Sequence, residues 1–462
     1  MNEKNFDVLK SLLLSEQTIC DSEQLERLGS DETEDFCFPP SIALAPKTTE
    51  EVAKIAAYCH QEGIPLTVRG GGTGLSGGAL PVHQGVVVLT HLLDSIEIDT
   101  DNLQVTVGPG VINQNLRDAV EAVGLFYPPD PSSKGSCFLG GNLAENAGGP
   151  RAVKYGVTKD YVLGLEVVLA DGKIIQTGAR TLKNSTGYNL TQLFIGSEGT
   201  LGIITKIHLK LIPKPLHDLL LLLPFENMED ACSAVSDIFK AGITPSALEF
   251  MERNAIEWSA QYLGESLIIP TNIQAHLLIE LDGRHLEVLY QDAETVAAVC
   301  EKYPTGEILM ADASHQKEQL WKIRRNVAHA VKANSVYKEE DTVVPRFQMP
   351  LLLKTVKEIG KKYGFESVCY GHVGDGNLHV NIIRGNLSDD AWQTTVMKGI
   401  SELFQAVKEM GGTISGEHGI GYVQKNYLSI VFSETELNLM RSIKQQFDPK
   451  GILNPGKIFP DS

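Results

Sequence analysis

The sequence predicts an α+β protein of two domains, the second built on an antiparallel sheet. Three observations predict it. The chain has 462 residues, enough for two or three domains, and its 42% apolar content is ample for separate cores. Its character changes after Pro213-Lys214-Pro215, from short strands and glycine-rich loops to strands alternating with longer helices. Two histidines in the second half flank Asp375-Gly376, a strong hairpin signal because such turns need positive φ.

Residues 1–28 read as an amphipathic helical lead-in, with Val8, Leu9, Leu12 and Leu13 on one stripe, and residues 31–35 as an acidic loop. Thr48 and Glu51 have capping-box spacing ahead of Val52, Ile55, Ala56 and Cys59, and Gly63 ends that helix. A strand at 64–68 leads into Arg69-Gly70-Gly71-Gly72-Thr73-Gly74-Leu75-Ser76-Gly77-Gly78. Gly72, Gly74 and Gly77 match the spacing of a dinucleotide-binding turn. Such a turn must open a helix, however, and here Pro81 and a strand at 85–89 follow. What survives is a nest of backbone N–H groups suited to phosphate oxygens, with Arg69 adding a fixed charge.

A strand at 102–107, a helix at 112–123 and a rigid proline loop at 128–133 come next. Residues 140–149 are small enough for backbone to approach a flat ligand. A hairpin at 164–169 and 174–177 turns at Asp171-Gly172, and 206–211 is the last strand of this half. Helices are expected at 228–241, 254–263, 286–302, 315–334, 351–363, 389–410 and 434–447, with a strand at 275–281. The pattern suggests a sheet covered by helices on one face.

With Asp375 and Gly376 as a two-residue loop, Val373 faces Leu378 and His372 lies directly across from His379, with Cβ atoms roughly 5 Å apart. Asn381 points to the same face. Two imidazoles that close can share a divalent cation. Ser415-Gly416-Glu417-His418-Gly419 supplies a carboxylate and another imidazole, and two His with one carboxylate is a common catalytic donor set.

A net charge of −18 argues against nucleic-acid binding and requires any anionic substrate to find local positive charge. The seven cysteines are scattered without a CxxC, which excludes iron–sulfur and zinc-ribbon motifs. The cysteine usage and the lack of a recognisable leader suggest the cytoplasm. The longest apolar run, 219–224, is too short to span a bilayer, so membrane contact would be peripheral, at the inner membrane.

Seven segments together carry a resemblance: RGGGTGLSGG (69–78), PPDPSS (128–133), GGNLAENAGG (140–149), GSEGTLGI (196–203), GHVGDGNLH (372–379), SGEHG (415–419) and NPGKI (454–458). The chain from residue 39 to 459 resembles the FAD-linked D-2-hydroxy-acid dehydrogenases. These include D-lactate dehydrogenase, D-2-hydroxyglutarate dehydrogenase and the flavin subunit of bacterial glycolate oxidase. The resemblance implies a lead-in at 1–38, an FAD-binding domain of the p-cresol methylhydroxylase (PCMH) type at 39–215, and a substrate and metal domain at 216–462 whose tail returns to the flavin.

It further implies that Arg69, Gly70, Gly71, Gly72, Thr73, Gly74, Leu75 and Ser76 cradle the FAD pyrophosphate. Pro129, Asp130 and Ser133, with Gly140, Gly141, Asn142, Asn146, Gly148 and Gly149, would line the flavin. Ile203 and Ile204 would meet the adenine end, and Asn454 the isoalloxazine. Some relatives attach FAD through a His in the first glycine-rich loop; Thr73 stands there, so FAD is expected to be non-covalent.

The expected reaction oxidises a small anionic 2-hydroxy acid to the 2-oxo acid, passing hydride to flavin N5. A divalent metal, zinc or manganese, would be held by His372, His379 and Glu417, with His418 as the base. Arg324 matches the family's substrate-binding arginine, and Lys338 and Asn381 are further candidates. In relatives specific for D-2-hydroxyglutarate the lysine lies two residues before the aspartate; here Lys338 lies three before Asp341, and a threonine position reads Ala328. Both departures favour D-lactate or glycolate over D-2-hydroxyglutarate. A non-catalytic FAD subunit of a larger redox complex is the other alternative. Electrons would leave to an external acceptor, whether an iron–sulfur subunit, a quinone, a cytochrome or an electron-transfer flavoprotein, and a homodimer is compatible with the sequence.

Overall fold

Residues 1–33, 36–265 and 269–461 are described by the computed structural model, and they form two units that chain order does not keep contiguous. One unit takes Met1–Gly148, Val157–Lys214 and Glu417–Ser462; the other takes Gly149–Gly156 and Pro215–Gly416. The turn at 213–215 is thus a crossing point, but the first half lends residues 149–156 to the second unit and the tail packs in the first.

In the first unit the lead-in is not one helix. Glu3–Ser11 and Ser22–Leu28 are helical, and Thr18–Ile19 between them pairs with Ile42–Leu44. Glu34 and Asp35 of the expected acidic loop lie outside the described residues. The helix Thr49–Glu62 starts where Thr48 accepts the Glu51 N–H at 3.2 Å and ends at Gly63 in the left-handed region. The Glu51 carboxylate accepts from Lys47 N–H rather than from Thr48, so the capping box is only half made. Val86–Leu89 lies parallel to both Ile42–Leu44 and Leu66–Arg69. A second, antiparallel sheet runs in the order Ile96–Asp99, Gln104–Val107, Ile203–Lys210, Val162–Val168, Ile174–Gly178. Leu453 bridges Leu66 at the edge of the first sheet, which brings the tail beside the glycine-rich loop that follows Arg69. That loop opens no helix, as the Pro81 argument required.

The second unit is built on seven strands: β1 His217–Phe225, β2 Ala247–Glu252, β3 Ala275–Gly283, β4 Leu309–Ala311, β5 Tyr337–Val343, β6 Glu366–Gly371 and β7 Asn377–Ile383. Their order is β4-β1-β3-β2-β6-β7-β5, and every neighbour is antiparallel. The expected covering of one face is wrong. Leu278, Ala247, Met251 and Tyr370 pack under helices Arg253–Tyr262, Ser314–Arg325 and Val327–Asn334, while the alternate residues Leu277 and Ile279 are equally buried. Helices therefore cover both faces, and residues 277–279 of β3 are apolar at successive, opposite-facing positions for that reason. The helix expected at 315–334 breaks at Asn326. No helix among the described residues is long and apolar enough to cross a membrane.

Candidate active site

On one face of the seven-stranded sheet, polar side chains stand where the pattern elsewhere is apolar. Period-two alternation puts Glu249 and Met251 of β2, Tyr370 of β6, His379 and Asn381 of β7, and Glu339 and Asp341 of β5 on that face. All but Glu339 are buried, and a buried charge persists only when paired.

The histidines meet, but not in the expected register. His379 lies opposite Tyr370, and β6 ends at Gly371. His372 stands in a five-residue connection rather than on a strand. The N–H groups of Asp375 and Asn377 both donate to its carbonyl, and Gly374 N–H donates to Leu248 O at 3.1 Å. Asp375-Gly376 is not a free two-residue turn because the connection is pinned to the sheet. Gly376 takes φ of 87°, and a Cβ there would strike Val344 O. The fold-back nonetheless places the two rings 5.3 Å apart at 84°.

Glu249 was not singled out from the sequence, although a lone acid in the apolar run Ala247-Leu248-Glu249-Phe250-Met251 was the available signal. Its carboxylate is completely buried and accepts from His372 Nδ1 at 2.8 Å. Its other oxygen lies 2.6 Å from Arg324 Nη2, close enough for an ion pair. Arg324 is 4% exposed and stacks over Tyr370, with 5.0 Å from Cζ to the ring centroid. Neither Nε nor Nη2 of Arg324 makes a hydrogen bond among the described residues, so the contact with Glu249 is an ion pair by distance. Burial, followed by the charge of Glu339, pushes the Tyr370 hydroxyl well above its usual range.

The donor set fits a divalent cation. With Nδ1 of His372 facing a carboxylate, Nε2 keeps its lone pair, and this is how metal-binding histidines are commonly fixed. His379 Nδ1 lies 3.4 Å from Glu339 and 3.8 Å from Asp341. Asp341 also accepts Asn377 Nδ2, the Ser415 hydroxyl and the Gly416 N–H at 2.7, 3.1 and 2.8 Å. Gly416 is the residue before Glu417.

Lys338 is not brought to this face. It pairs with Ile382, one residue out of phase with His379 and Asn381, and its ammonium sits 5.1 Å from the Trp392 ring. The one-residue offset from Asp341 noted in the sequence is enough to turn a side chain through the sheet.

In the first unit the other motifs converge. Tyr422 and Val423 N–H groups donate to Ser76 O at 2.8 and 3.1 Å. Glu198 accepts from Ile420 and Gly421 N–H at 2.8 and 2.6 Å, while its own carbonyl accepts Asn454 Nδ2 at 2.8 Å. Lys457 donates to Gly78 O, Leu80 O and Asn454 Oδ1. Burial raises both Glu198 and Glu145, the latter further because Glu198's charge adds to burial. Burial lowers Lys457 to about 8.

This loop fits a bound phosphate. Ser76 Oγ is buried with no hydrogen-bond partner among the described residues, and a Cβ on Gly71 would lie 2.5 Å from Ser136 O. Thr73, Gly74 and Leu75 extend it, and Gly72 packs against the Arg69 guanidinium. Pro129 O receives Asn113 Nδ2 and Arg117 Nη1, which holds the proline loop carrying Asp130 and Ser133. Gly140, Gly141 and Asn142 lie on the helix Leu139–Glu145, which ends at Asn146 with φ of 54°. A Cβ on Gly148 would lie 2.9 Å from the Glu417 carboxylate. Gly149 belongs to the second unit. Ile203 is buried and Ile204 half-buried.

Two family models match the chain: an FAD binding domain over residues 40–178 and the C-terminal domain of FAD linked oxidases over residues 214–458. It is 41% identical to the glycolate oxidase subunit GlcD of Bacillus subtilis, over 93% of this chain and 91% of that protein. It is 38% identical to a D-lactate dehydrogenase of Anaerostipes hadrus, over 91% and 89%. A D-2-hydroxyglutarate dehydrogenase of Stutzerimonas stutzeri is 33% identical over 98% of both chains. The crystal structure of p-cresol methylhydroxylase with substrate bound superposes with a TM-score of 0.80 at 18% identity, covering 100% of this chain and 98% of that one.

Proposed function

Because the chain belongs to the FAD-linked oxidases, as an oxidoreductase of the D-lactate, glycolate and D-2-hydroxyglutarate dehydrogenase type, we propose that it oxidises D-lactate or glycolate to the 2-oxo acid. The observation that carries this reading is the buried row Arg324, Glu249, His372, with His379 beside it. Arg324 binds the substrate carboxylate, for which its unpartnered Nε is a waiting donor and its planar fork the right shape. Asn381, wholly buried on the same face, orients the hydroxy acid. His372, His379 and Glu417, whose candidate ligand atoms lie within 4.8 Å of one another, would hold a divalent cation, zinc or manganese.

Such a cation would supply Lewis-acid chemistry, making the substrate hydroxyl more acidic, much as bound water falls from a pKa of 15.7 to about 7. FAD, held without a covalent link, would supply the redox chemistry as a two-electron, hydride-level acceptor. His418 takes the hydroxyl proton, since imidazole titrates near neutrality. Lys338 lies on the other face of the sheet, which supports a monocarboxylate over D-2-hydroxyglutarate. The word subunit in the name of the Bacillus relative supports an external electron acceptor.

The test is the visible spectrum of the FAD-loaded, metal-replete protein without oxygen. D-lactate or glycolate should bleach the flavin band faster than D-2-hydroxyglutarate. A spectrum that no 2-hydroxy acid changes overturns the reading.

A further inference from the structure

We propose that Glu249 is a positioning residue that ties the metal histidine to the substrate arginine. The inference rests on the site reading above and extends it. One carboxylate serves both groups: His372 Nδ1 donates to it at 2.8 Å, and Arg324 Nη2 lies 2.6 Å from its other oxygen. Glu249 has no exposed surface, Arg324 4% and His372 3%.

Each of the three needs the others to stay there. A carboxylate withdrawn from water costs several kcal/mol unless paired. Glu249 stands on a strand in the sheet interior, so it is held more rigidly than a loop residue. The backbone reinforces the arrangement. Leu248 O receives Gly374 N–H at 3.1 Å, so the residue before Glu249 anchors the loop that carries His372. Phe250, the residue after it, pairs with Gly371.

Two consequences follow. The carboxylate favours the Nδ1–H tautomer of His372, which makes Nε2 the ligating nitrogen; partners of this kind are worth about 10–100-fold in metal affinity. It also lies 2.6 Å from Arg324 Nη2 as an ion pair and keeps the guanidinium over the Tyr370 ring, while Nε and Nη2 make no hydrogen bond among the described residues and are available to a ligand. Glu249 therefore couples the two binding functions. Weakening it should weaken metal and carboxylate binding together, while the FAD unit, which does not contain it, keeps its flavin.

The experiment uses the FAD-containing protein stripped of metal by a chelator. Zn²⁺ affinity is measured by competition with a chromophoric chelator, and KM for D-lactate by steady-state turnover with an artificial electron acceptor after metal is restored. Glu249→Gln keeps the shape and removes the charge. The expected result is about 10–100-fold weaker Zn²⁺ binding with KM raised and flavin content unchanged. Zn²⁺ affinity within twofold of the parent protein overturns the proposal. If Glu249→Gln does not fold, Glu249→Asp keeps the charge but retracts it by one methylene, and the same two results apply to it. A parent protein that binds no Zn²⁺ or Mn²⁺ sinks the metal reading itself, and that failure is distinct from a variant with unchanged affinity.

Discussion

Asp341 lies directly opposite His379 across β5 and β7, and its buried carboxylate accepts the backbone N–H of Gly416 at 2.8 Å. One side chain thus stands beside a histidine of the hairpin and holds the backbone that leads into Glu417-His418. Asp341→Ala removes three hydrogen bonds to a charged acceptor. The second unit should lose about 3 kcal/mol in urea unfolding, since hydrogen bonds to charged groups are worth about 1.5–3 kcal/mol each and water recovers part of the loss. Flavin reduction should slow as well.

Arg324→Lys keeps the charge but replaces a planar fork with a point charge. KM for the hydroxy acid should rise about 10–100-fold, equivalent to roughly 1.4–2.8 kcal/mol, with a smaller change in kcat. Steady-state kinetics with an artificial electron acceptor would measure both. An unchanged KM would remove Arg324 from carboxylate recognition.

His418→Ala should leave FAD bound and slow flavin reduction by about 10²–10⁴-fold, the usual contribution of a positioned base. Stopped-flow reduction by D-lactate without oxygen measures it. A rate near that of the parent protein would exclude His418 as the base.

The loop from Arg69 to Gly78, with Thr73 in it, contains neither His nor Cys, so it offers no side chain of the kind that links FAD covalently. Acid precipitation should release all yellow colour to the supernatant. A yellow pellet would show a covalent link.

His276, on β3 opposite Met251, has its pKa lowered by burial, and secondarily by Arg253, from 6.5 to about 4. Between these values the unfolded chain binds a proton that the folded chain refuses. The group's contribution to stability is therefore complete above about pH 6.5 and falls as pH drops toward 4, by about 3 kcal/mol at 1.36 kcal/mol per unit. Urea unfolding at pH 7.0 and 4.5 would show the difference, and His276→Leu should flatten it.

Much of the site was legible locally. The glycine-rich loop, the His372 and His379 pair and the Glu417-His418 segment are contiguous motifs, and turn chemistry and donor type do not depend on distant residues. The expectation of a monocarboxylate came from the resemblance, in which the lysine lies two residues before the aspartate; here Lys338 lies three before Asp341, and in the sheet that offset turns it off the face of His379. Glu249 was missed because a lone acid in an apolar run marks a buried charge without showing what pairs with it; only its neighbours across the sheet give it meaning.

The sequence by itself determined the α+β class, the crossing near residue 214, and which residues are candidates for holding phosphate and a metal, because each follows from short-range pattern and side-chain chemistry. Only the tertiary structure decided the register of the hairpin. Gly374 is tied to Leu248 and Gly376 is pressed on Val344, so the Asp375-Gly376 signal closes a five-residue loop and His379 faces Tyr370. It also decided the partner of Arg324. Which charges share a buried carboxylate is set by strand order and burial, and residues 75 and 123 positions from Glu249 meet there because the sheet, not the chain, is what places them side by side.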